Sequence, residues 1–309
     1  MANDSILKNT NGHAEVVLDS TVYRINFPAL NSAIILNKNI KYIFDSFDIS
    51  PSSKDILIAA NPLSGDEALI LLSSDGLYLR SLISKKFIRN PAYSPEGKLI
   101  AFLSSEDRSD DSYIPNWYVY TIGVNDGVAK KVFSIPVSPY TPSWDPSGKQ
   151  IFVTSKDRSI YSVDIISGNY SKIIEYGLAP TVSNSGSYIA YLSSTVNDDQ
   201  KKLLKEYVNM TSDEYVLAMK DKIKSKKISE IEELQNNNSI IIYDRKIKKS
   251  TILTERLSLE DRVLWSPDDN YLIYNDEKRL NRDIYVIDIE TGKTELVSTI
   301  NGKIMTWDK

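Results

Sequence analysis

The chain carries one imidazole, His13, and no cysteine. Most hydrolytic chemistry at neutral pH needs a side chain that titrates there, and histidine is the usual choice. His13 lies at the edge of a polar N-terminal stretch, where a proposed strand begins, a position that suits an incidental or structural role. Without cysteine there can be no disulfide, thiol nucleophile or thiolate metal site. The sequence contains no Gly-x-Ser-x-Gly elbow, no His-Glu-x-x-His pair and no Gly-x-x-x-x-Gly-Lys-Ser/Thr loop, the short motifs that bring an acyl-transfer nucleophile, a catalytic zinc or a phosphate cradle. What remains is carboxylate chemistry, and among 41 acidic residues no pair stands out as the acid and base of a glycosidase. The run Glu106-Asp107-Arg108-Ser109-Asp110-Asp111 offers oxygens that calcium would accept, but it lacks the alternating Asp spacing of a calcium loop and has Arg108 at its centre. It reads as a solvated loop, and no catalytic residue, metal or cofactor is expected.

With catalysis disfavoured, binding becomes the question. Net charge is −4, with 37 basic against 41 acidic residues, so no general field for nucleic acid exists and DNA or RNA is not the expected partner. No run of about eighteen apolar residues is present, so a membrane is expected to be reached only through an absent anchor or a partner. The start Met1-Ala2-Asn3-Asp4 lacks the apolar core of a leader.

The elements that must position any binding site announce themselves by repetition. Pro91-Ala92-Tyr93-Ser94-Pro95-Glu96-Gly97-Lys98-Leu99-Ile100-Ala101-Phe102 returns around Trp144-Asp145-Pro146-Ser147-Gly148, around Ser183-Asn184-Ser185-Gly186 and around Trp265-Ser266-Pro267-Asp268-Asp269. A fainter copy surrounds Ser50-Pro51, and a truncated one, Ile304-Met305-Thr306-Trp307-Asp308-Lys309, ends the chain. The turn prolines stand 44 and 51 residues apart, Asn184 follows 38 after Pro146, and Trp307 follows 42 after Trp265. Periods of roughly 40 to 50 residues with several short strands in each mark propeller blades. The 83 residues from Asn184 to Pro267 include an insertion.

Each phrase is an inner strand, a tight turn and a returning strand: proline presets φ at the turn, and glycine tolerates the positive φ that closes it. The outer half of a blade is a second hairpin. Ile160 to Ile174 around Gly168 and Ile284 to Val297 around Gly292 alternate with period two about their turns. Looser outer hairpins lie at Thr21 to Leu36, Leu77 to Ile83, Trp117 to Phe133 and Ser239 to Leu253. Six outer hairpins thus meet five complete inner ones plus a lone C-terminal strand. His13 to Leu36 supplies three strands with no inner strand before them, and Gly302 to Trp307 supplies that missing strand. The expected fold is all-β, a six-bladed β-propeller closed by one-plus-three strand pairing, which leaves no free sheet edge at the seam. Residues 1–12 read as a polar tail, 13–309 as a single propeller and 195–238 as a small α-helical insertion.

The turn phrase followed by a Tyr-x-Val-Asp hairpin resembles the TolB-like propeller family, relatives of the WD-repeat propellers without their terminal Trp-Asp dipeptide. The resemblance covers nearly all of the chain outside the tail and the insertion. It implies a non-catalytic module that binds another protein or a peptide at a bacterial envelope or cell surface, monomeric, with its leader absent from the chain as given. A cytoplasmic start stays open as the alternative. Propellers of this type also serve as gating domains of serine peptidases and as bodies of oligosaccharide lyases. The first would need a separate hydrolase domain and the second a multi-histidine metal site, neither of which these residues can build. A carboxylate-based enzyme or binder acting on oligosaccharide at the channel mouth is the second reading, and an accessory domain cut from a longer chain the third.

In a four-stranded blade the Ser-Pro-x-Gly turns share one face, while the loops after second strands share the other with the inter-blade links. Both long excursions, Ser104 to Asn116 and Ser194 to Asn238, follow second strands and must emerge on that loop-rich face. Recognition usually resides on such loops. Tyr113, Ile114, Trp117 and Tyr140 are therefore candidate contact residues, with Trp117 alternatively the packed start of a third strand. Arg89 and Arg262 precede inner strands, where a side chain could enter the channel or pair between blades. In the insertion, Asp199 to Val208 has helical apolar spacing, including Tyr207, and Lys226 to Leu234 suits a short third helix. Between them Thr211-Ser212-Asp213-Glu214 predicts a capping box ahead of a helix whose stripe is Tyr215, Val216, Met219 and Ile223. Tyr207, Tyr215 and Met219 complete the candidate binding set. The stripe must pack on the propeller, on itself or on a partner.

Overall fold

A computed structural model of the chain describes residues 5–18, 21–36, 43–61, 66–105, 116–194, 199–200, 202, 206–207, 210–221, 224–229, 238–257, 262–278, 281–299 and 302–308. Strands β1 (His13–Leu18), β2 (Thr21–Asn26) and β3 (Asn31–Leu36) come first. Five complete blades follow, and then one last strand. Blade 2 holds β4 (Ile43–Ile49), β5 (Ile56–Asn61), β6 (Glu67–Leu72) and β7 (Tyr78–Lys85). Blade 3 holds β8 (Phe87–Tyr93), β9 (Leu99–Ser105), β10 (Tyr118–Gly123) and β11 (Ala129–Lys131). Blade 4 holds β12 (Ser143–Trp144), β13 (Gln150–Thr154), β14 (Ile160–Asp164) and β15 (Tyr170–Ile174). Blade 5 holds β16 (Leu178–Val182), β17 (Tyr188–Ser193), β18 (Asn238–Asp244) and β19 (Lys249–Leu257), and blade 6 holds β20 (Leu264–Trp265), β21 (Tyr271–Lys278), β22 (Asn281–Asp288) and β23 (Thr294–Ser298). The last strand, β24 (Lys303–Asp308), pairs antiparallel with β1, so blade 1 has the order β24-β1-β2-β3. The protein is a six-bladed propeller closed one-plus-three, as its repeats require.

The repeated turns close as their chemistry demands. Gly97, Gly148 and Gly186 adopt positive φ and donate their N–H to the carbonyls of Ser94, Asp145 and Ser183. In the degraded copies Asp269 takes the glycine's place at φ 61°, donating to Ser266 O, while Lys54 takes φ 61° one place later, donating to Ser50 O.

The four boundaries from blade 2 to blade 6 follow an alternating rule that hinges on two neighbouring positions of the repeat. Where the inner strand brings tryptophan, the indole reaches back to a carbonyl of the preceding blade: Trp144 Nε1 donates to Ala92 O at 3.0 Å and Trp265 Nε1 to Thr181 O at 2.9 Å. Where it brings another residue, the preceding blade supplies a side-chain acceptor for the backbone: Tyr93 N donates to Asp48 Oδ2 at 2.6 Å and Val182 N to Ser143 Oγ at 2.9 Å. At the seam Trp307 Nε1 donates to Asn11 O at 3.1 Å and its ring stacks on Phe27.

Residues ahead of β1, read from the sequence as a polar tail, belong to the packed body. Ile6–Asn9 forms a 3-10 helix with Ile6 and Leu7 buried in the cluster shared by blades 1 and 6. Ser5 Oγ and Ile6 N both donate to the Glu295 carboxylate of β23. Two apolar residues in a mainly polar stretch were enough to dock it.

In the insertion, α1 (Ser212–Lys220) begins at Thr211, whose Oγ1 accepts from Glu214 N at 3.2 Å while the Glu214 carboxylate accepts from Thr211 N at 2.8 Å. This is the capping box read from the sequence. Residues 224–229 are helical as well. Among the described residues no helix is long and apolar enough to cross a membrane.

Candidate binding face

The turn face and the loop-rich face differ in how their polar groups are used. On the turn face, the inner strands of blades 2 to 5 end around a cavity of about 300 Å³ lined by Asp48, Tyr93, Trp144, Val182 and Asn184. Among the described residues Asp48 is the single acid lining it. Its Oδ1 accepts from Ile49 N at 3.0 Å and its Oδ2 from Tyr93 N, yet burial pushes the carboxyl up to about 7 against those donors and the charge of Arg262. Part of the Asp48 surface still faces the cavity.

Also on that face His13, Glu15 and Asp308 bring ligand atoms within 4.8 Å of one another. Both oxygens of the fully buried Glu15 are already engaged: Oε1 by Arg24 Nε at 2.9 Å, and Oε2 by the Thr306 hydroxyl. Burial raises the Glu15 pKa, and burial with the Arg24 charge lowers that of His13. The lone histidine is thus built into the seam that joins the first strand to the last.

On the loop-rich face the sequence candidates separate. Tyr113 and Ile114, with the acidic run 106–111, lie outside the described residues. Trp117 is buried directly before β10, with its carbonyl accepting from Val137 N and its ring edge-on to Phe87, so it takes the packed role rather than that of a presented contact. Arg89 is exposed, with its guanidinium 5.2 Å from the Trp117 ring centroid. Arg262 donates to Met305 O of the neighbouring inner strand at 2.7 Å and lies close enough for its charge to act on Asp48. Tyr140 leans from the link before β12 onto the cluster containing Leu178, Ala179, Val263 and Trp265. It therefore joins the link before blade 4 to the cluster shared by blades 5 and 6. In the insertion Tyr207 is buried edge-on against Tyr215, whereas Met219 is exposed. Of the expected stripe, Tyr215 is half-buried, Val216 and Met219 turn outward, and Ile223 lies outside the described residues; Ala218 and Tyr207 turn inward and Leu217 outward.

Sequence reasoning missed Arg158, in the loop-rich turn between β13 and β14. It is 5% exposed, and among the described residues neither Nη1 nor Nη2 has a hydrogen-bond partner. Unpaired buried hydroxyls stand at equivalent ends of the second strands in the two flanking blades, Ser104 Oγ and Ser194 Oγ. Polar groups left unsatisfied in a folded chain are rare and concentrate at functional sites. No sequence signal distinguishes an arginine of this kind from a surface one.

The fold and its seam define the class: a six-bladed propeller with one-plus-three closure. Among solved structures the chain is similar to TolB from Acinetobacter baumannii, with a TM-score of 0.70 and 17% identity over 95% of this chain and 65% of that one. It therefore spans less than two thirds of that protein's length. A TolB-type protein of Agrobacterium tumefaciens matches at a TM-score of 0.64 and 14% identity, over 95% of this chain and 90% of the other. A puromycin-hydrolyzing peptidase of Mycobacterium tuberculosis matches at 0.58 and 13% identity, over 94% of this chain but 44% of the peptidase. No protein-family model and no curated protein matches the sequence. At these identities the likeness establishes the TolB-like propeller fold, not an activity.

Proposed function

We propose that the chain is a non-catalytic propeller that binds another protein, or a peptide segment of one, through its loop-rich face, as a monomer outside the cytoplasm at an envelope or cell surface. The observation that carries this reading is the outward turn of α1: Val216, Leu217 and Met219 are 50%, 65% and 43% exposed on a helix whose one buried residue is Ala218. A short capped helix that turns its larger apolar side chains to solvent is poorly accounted for by packing on its own body, and a protein surface is the natural cover. The fold likeness to TolB supports the location.

Two further observations favour binding over catalysis. The single acid of the channel cavity is committed to backbone N–H groups, and the one histidine is held against Glu15 in the seam at 3.3 Å.

The test is capture of partners from an envelope extract by three forms of the protein: wild type, a form lacking residues 195–238, and Leu217→Asp. Loss of the same partner from both altered forms is expected. Equal recovery by all three would remove the insertion from the binding site.

A further inference from the structure

Arg158 belongs to a turn that the chain builds twice. In Ser73-Ser74-Asp75-Gly76-Leu77, Ser73 N donates to Leu77 O, Gly76 N to Ser73 O and Leu77 N to Ser73 Oγ, while the Ser73 hydroxyl donates to Asp75. In Ser155-Lys156-Asp157-Arg158-Ser159 the same four bonds recur: Ser155 N to Ser159 O, Arg158 N to Ser155 O, Ser159 N to Ser155 Oγ, and the Ser155 hydroxyl to Asp157. The fourth position has positive φ in both, 86° at Gly76 and 63° at Arg158. Glycine suits that conformation and a long side chain does not. The turn therefore gains nothing from arginine.

The side chain makes the choice costlier still. A buried guanidinium without an acceptor forfeits its hydration and receives nothing in exchange. Backbone strain and an unpaired charge at one residue mark a site held ready for something else. Tyr140 is the group whose electrostatics act on Arg158, and burial depresses the arginine's pKa. Among the described residues no acidic or second basic group enters that balance, so the guanidinium is not neutralised there.

A single charge matches a monoanion; a phosphate dianion would leave negative charge buried. Two vacant Nη atoms on one planar fork match the two oxygens of a carboxylate. Tyr140, packed on the cluster shared by blades 5 and 6, places the site on the loop-rich face.

We propose that Arg158 is the receptor for a carboxylate of the polypeptide that docks on the loop-rich face, either a chain terminus or an acidic side chain. This rests on the reading of that face as polypeptide-binding, but its test does not require the natural partner. Because the guanidinium is enclosed in the free protein, the ligand reaches it through local opening of that face.

The experiment titrates the full chain with three probes at fixed ionic strength: N-acetyl-glycyl-alanine, its C-terminal amide, and N-acetyl-aspartyl-alanine amide. Wild type, Arg158→Gly and Arg158→Lys are compared by calorimetry and by Tm. Wild type should bind at least one of the two acids and not the neutral amide; which acid binds tells a terminus from a side chain. Arg158→Gly should weaken that binding about 10-fold or more, the loss of a bidentate charged contact, and Arg158→Lys should retain part of it. In the free protein Arg158→Gly should raise Tm by about 2–4 °C, since strain and unpaired charge go together.

Failure of both acids to bind wild type would overturn the proposal. So would equal binding by Arg158→Gly, a fall in its Tm, or orthophosphate outcompeting the acids. Acid binding that survives in Leu217→Asp, beside lost partner capture, would separate this site from the helix surface. Acid binding beside unchanged capture would retire the helix and leave Arg158 standing.

Discussion

Tyr93 N–H donates to Asp48 Oδ2 at 2.6 Å across the boundary between blades 2 and 3, so one blade's backbone is held by the other's carboxyl. Burial nevertheless raises that carboxyl to about 7. A raised folded pKa contributes stability that is complete below the unfolded value and is lost as pH rises through the folded one. Wild type should therefore lose stability relative to Asp48→Asn between about pH 4 and pH 7, by about 2 kcal/mol once solvent at the cavity is allowed for. Denaturant melts of both proteins across that range check it; parallel curves would show that Asp48 titrates normally.

Arg245 and Asp145 pair between blades 5 and 4 at 2.6 Å, and the same Nη1 also donates to Gly186 O at 2.7 Å. Burial alone would raise the Asp145 carboxyl, but hydrogen bonds from Ser147 and Arg245 outweigh it and hold the group below its usual value. Its stabilising effect is present above the unfolded pKa and is lost as pH falls through the lowered folded one. Arg245→Met should cost about 1–2 kcal/mol at pH 7, with the deficit shrinking below about pH 3, as measured by urea denaturation.

Removing one indole donor isolates the boundary rule. Trp265→Phe keeps a ring but leaves Thr181 O without its indole partner, and should cost about 2 kcal/mol of stability. A change within experimental error would mean that the indole bond contributes nothing beyond packing.

Lys54 holds a left-handed conformation, φ 61°, one place beyond the position where three other copies of the turn have glycine. Lys54→Gly should stabilise the protein by about 1 kcal/mol, read as a higher Tm. A lower Tm would mean that its side chain contributes more than the backbone loses.

The capping box at Thr211 governs a helix that touches the body lightly. Thr211→Ala should weaken α1 by about 1 kcal/mol while leaving the propeller's global melt nearly unchanged. Hydrogen exchange confined to residues 212–220 is the measurement, and partner capture should fall with it.

The blade count, the closure of the ring by the two chain ends and the α1 cap were legible in the sequence because each is local and repeated. A proline, an aromatic and a glycine at fixed spacing specify a turn and its strands wherever they recur, and the count of orphan strands at the two ends leaves one way to close. Trp117 went the other way. An aromatic after a long loop looks the same whether it is packed or presented, and only Phe87 and Val137 beside it decide.

Arg158 and Asp48 mark the limit more sharply. Asp48 occupies the repeat position filled elsewhere by Ala92, Ser143 and Thr181, and its significance depends on which residue the next blade offers. The cost at Arg158 exists only because the folded chain encloses its guanidinium without an acceptor. Sequence by itself determined the wheel, since turn chemistry and strand alternation act over a few residues. The tertiary structure decided which polar groups are spent on holding the wheel together and which are left in reserve, since burial and pairing depend on neighbours far away along the chain.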